Sequence, residues 1–139
     1  MAATATARWE GTLDEGSGTI ETGAGLHGTY TKASRFADGT GTNPEELIGA
    51  AHAACFSQFL ASLLSKNGTP PASIETTAKV SIVVGDDGPT INRIDLSTVV
   101  DADLGAEEIT DLANQAKAAC PVSKALTGVA DVRLNIAKA

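Results

Sequence analysis

The 139-residue sequence carries a formal net charge of -7, with 42% hydrophobic and 19% charged residues. That is enough chain and enough apolar matter to bury a core without disulfide or metal staples, and it is not the composition of a disordered segment. The acidic balance argues against nucleic acid and against an anionic membrane surface as partners, since both need clustered Lys and Arg. One domain over residues 1–139 is expected. The opening "MAATATARWEG" has no basic flank followed by an apolar run, so it reads as neither signal nor transit peptide, and a cytoplasmic location is expected.

In chain order, "TARWEGTL" places Ala7, Trp9, Gly11 and Leu13 on one face by period-2 alternation, "DEGSG" supplies a turn, and "TIET" returns as a second strand. A third strand is predicted over "GTYTKASRF", followed by a flexible "ADGTGT" approach that keeps Arg35 close in sequence to the next element. Asn43 followed by Pro44 is a helix start, because Asn is a good N-cap and Pro at the first helical position gives up only an unpartnered N–H. The helix is predicted from Pro44 to about Ser65, stopped by "KNGTPP" with Gly68 near its C-terminal cap. Its apolar run is interrupted by His52, Ser57 and Gln58, which makes it a core helix and a poor membrane span. "SIETTAKVSIVVG", the turn "DDGP" and "TINRIDLSTVV" form a second hairpin. "GAEEITDLANQAKAACPVSKAL" has helical periodicity, but Pro121 must end, kink or restart it, and "VADVRLNIAK" closes the chain as a strand. The order of elements predicts an α+β domain with helices on largely antiparallel sheet.

The only two cysteines are Cys55, in the middle of the first long helix, and Cys120, immediately before Pro121. A cytoplasmic pair is seldom a structural disulfide, which leaves buried thiols, metal ligands or redox chemistry. Cys120 is placed to cap a helical segment starting at Pro121, where backbone N–H groups favour thiolate. His52 shares a helix face with Cys55. A metal site built on His52, Cys55 and Cys120 lacks support from a Cys-x-x-Cys pair or a second histidine at ligand spacing, so no metal or cofactor is expected. His52 is read either as a buried, hydrogen-bonded histidine or as a proton acceptor beside the thiol. Of the two carboxylates at the helix mouth, Glu46 stands at the third helical position, suited to a capping box, and about 180° around the helix from Cys55. Glu45 is only about 80° away, so it is the functional candidate, yet ten residues of helix put it about 15 Å from Cys55 along the axis. A long arginine or a second copy of the chain must bridge such a gap. Taken alone, Arg35 reads as a surface arginine, and the small residues of the helix read equally as core packing or as a close-approach face.

The run "RFADGTGTNPEELIGAAHAACFS" together with "KAACPVS" closely resembles the osmotically inducible protein C (OsmC) family, itself similar to the organic hydroperoxide resistance proteins. The resemblance covers nearly the whole chain in order and length. It implies an intertwined homodimer with an α+β fold, two main helices and a metal-free, cysteine-dependent peroxidase acting on organic hydroperoxides and less well on hydrogen peroxide. By the same resemblance Cys55 matches the peroxidatic cysteine, Cys120 the resolving cysteine, Arg35 the active-site arginine and Glu45 the carboxylate that holds it. An external dithiol, such as a dihydrolipoyl carrier, is the implied reductant. Phe36, Phe56 and Phe59 are candidates for an apolar wall beside an alkyl peroxide, or for core packing. The rival from another class is a noncatalytic binding or structural dimer whose cysteines merely pack.

Overall fold

The computed structural model describes residues 1–139, which form two compact units, Met1–Leu47 and Ile48–Ala139. The first unit holds β1 (Ala5–Glu10), β2 (Ser17–Thr22) and β3 (His27–Tyr30) as an antiparallel sheet in the order β1-β2-β3, followed by the short helix α1 (Lys32–Phe36). Register sets Trp9 opposite Gly18, and Gly18 opposite Tyr30. The missing side chain at Gly18 makes room for the Tyr30 ring, since a Cβ there would lie 2.3 Å from Tyr30 Cζ. The Trp9 and Tyr30 rings sit 5.4 Å apart, tilted by 45°, within the range of favourable aromatic pairs.

Two sequence expectations fail in this unit. The alternation through Gly11 and Leu13 is not strand: β1 stops at Glu10, Gly11 takes a left-handed φ of 89°, and Leu13 is exposed in the turn. The predicted third strand ends at Tyr30, because Thr31 caps α1. The Ser34 N–H donates to Thr31 Oγ1 at 3.0 Å, and the Thr31 N–H donates to Ser34 Oγ at 2.9 Å. This reciprocal pair uses up backbone donors that a continuing strand would need, so Arg35 belongs to a helical turn.

Helix α2 (Pro44–Lys66) begins and ends as the residues predict. Asn43 Oδ1 accepts from the Glu46 N–H at 2.8 Å. At the other end Gly68, at φ 82°, donates to Ser65 O, and Thr69 donates to Leu64 O, which is the paired hydrogen bonding of a Schellman stop.

The second unit has a three-stranded sheet in the order β4-β5-β6, with β4 (Ser73–Gly85) antiparallel to β5 (Gly88–Asp101) and β5 parallel to β6 (Asp131–Lys138). A parallel neighbour requires a crossover, and α3 (Ala106–Ala119) with α4 (Pro121–Ala125) supplies it. Ile94, Leu96, Thr98 and Val100 alternate on the buried face of β5. Against them, α2 buries His52, Phe56, Leu60 and Leu64, and α3 buries Ile109, Ala113 and Ala116. The spacing of four along α2 keeps these side chains on one stripe. Full burial contributes about 1.5–3 kcal/mol for each Leu or Phe, so these residues anchor the helix and its alanines do not. By length and composition α2 could cross a membrane, but this stripe makes it a core helix. A chain of hydroxyls, Ser57 to Thr76 at 2.7 Å and Thr76 to Thr98 at 3.1 Å, satisfies the polar groups buried beneath it.

Candidate active site

Arg35 stands in the last turn of α1, and Glu45 is the second residue of α2. The guanidinium grips the carboxylate on two edges: Nη2 donates to Oε1 at 2.7 Å, and Nε lies 3.2 Å from both carboxylate oxygens. Glu45 is buried, with 7% exposure, while the Arg35 side chain keeps 35% of its surface open. A carboxylate taken out of water needs such a partner, and the planar fork fixes the direction in which the remaining N–H groups of Arg35 point. The Phe36 ring lies 5.0 Å from Arg35 Cζ, a favourable place for a cation.

The segment joining α1 to α2 is braced to hold this pair. Ser34 Oγ donates to Thr42 O at 2.7 Å, and Asn43 Nδ2 donates to Ser34 O at 3.2 Å. Gly41 permits the path: its φ is 110°, and a Cβ on it would meet Thr29 O at 2.6 Å. Gly41→Ala is therefore expected to cost about 1–3 kcal/mol. Urea unfolding followed by the fluorescence of Trp9, the only tryptophan, reads this directly. An unchanged midpoint would mean the loop relaxes without strain.

Glu46 departs from the expected capping box. Its carboxylate accepts from Thr42 Oγ1 at 2.9 Å and does not reach back to the cap N–H. Glu45 is bonded to the arginine and Glu46 to the hydroxyl of Thr42 at the exposed helix start.

In the second unit the two sulfurs meet. Cys55 and Cys120 are both free thiols, and their Sγ atoms lie 2.8 Å apart in a hydrogen bond, longer than the roughly 2.05 Å of a covalent disulfide. Cys55 is half-buried on α2 and Cys120 is fully buried. Of the three outcomes the sequence leaves open at Pro121, the helix restarts: Cys120 ends α3, donating its N–H to Ala116 O at 2.8 Å, and its own carbonyl accepts from the Lys124 N–H in α4.

Burial pushes the Cys55 thiol up, and the bonded Cys120 adds to this, against a smaller opposing pull from the Val122 backbone. Burial also pushes Cys120 up, but hydrogen bonds from Cys55, from the backbone and hydroxyl of Ser123 and from the Val122 backbone outweigh it and leave Cys120 below its usual value. Within this unit the donors thus favour thiolate at Cys120, and a nucleophilic Cys55 requires a cation from elsewhere.

His52 is fully buried one turn before Cys55, and its Nε2 lies 2.8 Å from Ser123 Oγ, while Nδ1 is buried without a partner. Burial, and then the nearby Lys117 charge, hold its basicity below the usual value. Of the candidate apolar wall, Phe56 is fully buried core and Phe59 packs half-buried against that core, which leaves Phe36, half-exposed under Arg35. Ser123 is absent from the sequence expectations. Its signal was its place three residues after Cys120, in the first turn of a helix restarted by proline.

The family model described as OsmC-like protein matches residues 37–135. The chain belongs to the OsmC family. This OsmC-family chain is 46% identical over 123 residues to Peroxiredoxin OsmC of Escherichia coli K12, an alignment covering 86% of each protein. It is 37% identical over 98 residues to organic hydroperoxide resistance protein OhrB of Bacillus subtilis, covering 70% of this chain and 71% of OhrB. The crystal structure of that OhrB matches the fold with a TM-score of 0.75 at 31% identity, over 99% of this OsmC-family chain and 98% of OhrB. The α+β architecture is that of the OsmC and Ohr structures.

Proposed function

We propose that this OsmC-family chain is a thiol peroxidase that reduces organic hydroperoxides, and hydrogen peroxide less efficiently, by a cycle between Cys55 and Cys120. It is a peroxide-detoxifying redox protein, as the names of its relatives lead one to expect. The observation that carries the cycle is the meeting of the only two thiols, 65 residues apart in sequence, at 2.8 Å.

In the first step Cys55 thiolate attacks the outer oxygen of ROOH and the O–O bond breaks. Cys55 becomes sulfenic acid, and RO⁻ departs and takes a proton to become the alcohol. In the second, the Cys120 sulfur attacks the Cys55 sulfur, the S–O bond breaks, and water leaves. A dithiol then reduces the Cys55–Cys120 disulfide by exchange and is itself oxidised. A dihydrolipoyl group fits this role, because its two thiols close into a ring on oxidation. Arg35 is assigned the cation that Cys55 lacks: it favours thiolate and stabilises the departing alkoxide, and Glu45 fixes its orientation. The carboxylate acts through the arginine and not on the sulfur. A homodimer is supported by the exposed Ala50, Ala51 and Ala54 on α2, a small-residue face open to a neighbouring chain. The requirement for a reduced thiol pair suits the cytoplasm.

The test is hydroperoxide consumption with tert-butyl hydroperoxide and a dithiol reductant. Turnover with many equivalents of alcohol formed per chain is expected, and consumption no faster than without protein would leave the noncatalytic reading. In the same assay Arg35→Lys is expected to slow Cys55 oxidation at least about tenfold, a barrier increase of about 1.4 kcal/mol, because lysine keeps the charge but not the planar fork. A rate within about threefold of wild type, roughly 0.7 kcal/mol, would mean that guanidinium geometry does not matter.

A further inference from the structure

We propose that His52, acting through the Ser123 hydroxyl, draws the proton from Cys120 when that thiol attacks oxidised Cys55. The inference rests on the cysteine cycle above and assigns a positioning residue to its second step. The residues form a line: Ser123 stands three residues after Cys120 in the first turn of α4, which Cys120 precedes as N-cap, Ser123 Oγ lies 2.8 Å from His52 Nε2, and Cys120 Sγ lies 2.8 Å from Cys55 Sγ. His52 is fully buried and keeps Nδ1 without a partner, an arrangement that packing alone does not call for.

The attack on the sulfenic acid needs Cys120 as thiolate. Its proton passes to Ser123 Oγ as the Ser123 proton passes to His52 Nε2. The new S–S bond forms, the S–O bond of Cys55 breaks, and the leaving hydroxide takes a proton from solvent to become water. His52 then returns the relayed proton through Ser123. That residue also lines a cavity of about 380 Å³ with Lys117, Lys124, Leu126 and Val132, which gives the proton an exit.

The titratable groups beside this line are Cys55 from α2, Cys120 at the helix junction and Lys117 from α3, whose charge acts on His52, while Lys124 from α4 lines the cavity with Ser123. Lys117 is held by a hydrogen bond to Val132 O. Burial and Lys117 keep His52 neutral down to below its ordinary value of 6.5, so it is ready to accept a proton at neutral pH and loses that capacity on acidification. Accepting at Nε2 requires the tautomer with hydrogen on Nδ1.

The experiment is a rapid-quench single turnover with one equivalent of tert-butyl hydroperoxide, resolving sulfenic acid and disulfide by mass, on wild type, Ser123→Ala, Ser123→Thr and His52→Gln. In Ser123→Ala the rate constant for disulfide formation, relative to that for sulfenic acid formation, is expected to fall about tenfold or more at pH 7. Ser123→Thr, which restores a hydroxyl, recovers most of the loss. His52→Gln keeps a hydrogen-bonding group but cannot titrate, so the acid-side inflection expected for disulfide formation in wild type should be lost in the variant. Should His52→Gln fail to fold, the Ala and Thr pair at Ser123 decides. Ratios within about twofold of wild type in Ser123→Ala, with an unchanged pH profile, would overturn the relay while leaving the cycle intact. A wild type that forms neither sulfenic acid nor disulfide would overturn the cycle and the relay with it.

Discussion

Cys55→Ser is expected to consume no organic hydroperoxide above the uncatalysed rate, a loss of about four orders of magnitude or more, equivalent to at least about 5.4 kcal/mol of barrier. A serine hydroxyl is not ionised near neutral pH and is far less nucleophilic toward peroxide oxygen than thiolate. The swap changes volume little at a half-buried position on α2, while the anchoring stripe of Phe56, Leu60 and Leu64 is untouched, so circular dichroism should match wild type. Turnover by the folded variant would place the peroxide-reactive atom elsewhere.

Cys120→Ser separates the two thiols. Its first reaction with hydroperoxide needs only Cys55, the assigned cation and substrate, so sulfenic acid should form and then persist, because the sulfur that lies 2.8 Å away in wild type is gone. Multiple turnover with a dithiol should fall at least about tenfold, and a second peroxide should drive the persistent species to sulfinic acid. Intact-mass analysis would show one added oxygen at substoichiometric hydroperoxide and two in excess. Inactivation should therefore deepen with peroxide concentration in the variant and much less in wild type. A variant that fails to react even once would give Cys120 a part in the first step, in line with the hydrogen bonds that already lower its thiol.

What the sequence discloses is chiefly what local chemistry controls. Asn43 with Pro44, Gly68 after Ser65, and Pro121 after Cys120 mark helix boundaries through the fate of individual N–H and C=O groups, and each boundary lies where those groups put it. The errors are also local, but they lie in competition between two local solutions. Thr31 and Ser34 form a capping box where alternation suggested strand, and Gly11 turns the chain where the pattern continued. Glu46 prefers the Thr42 hydroxyl to the cap N–H, a choice between neighbours that spacing does not decide. Contacts made across long stretches of chain were legible only through resemblance. Nothing in the spacing of Cys55 and Cys120 puts their sulfurs side by side. Nor does anything in a lone arginine show that a five-residue helix will aim it at Glu45. The His52–Ser123 bond spans 71 residues and carries no periodic signal at all.

The most direct measurement is peptide mapping by mass spectrometry of the wild-type protein, fully reduced and then given one equivalent of tert-butyl hydroperoxide, with the alcohol quantified in the same sample. The two-thiol cycle predicts one alcohol formed per chain, an intact mass lower by two hydrogens, and one cross-linked peptide pair joining Cys55 to Cys120 within a chain. Alcohol formed without that cross-link, or both thiols recovered reduced with the hydroperoxide intact, would contradict it.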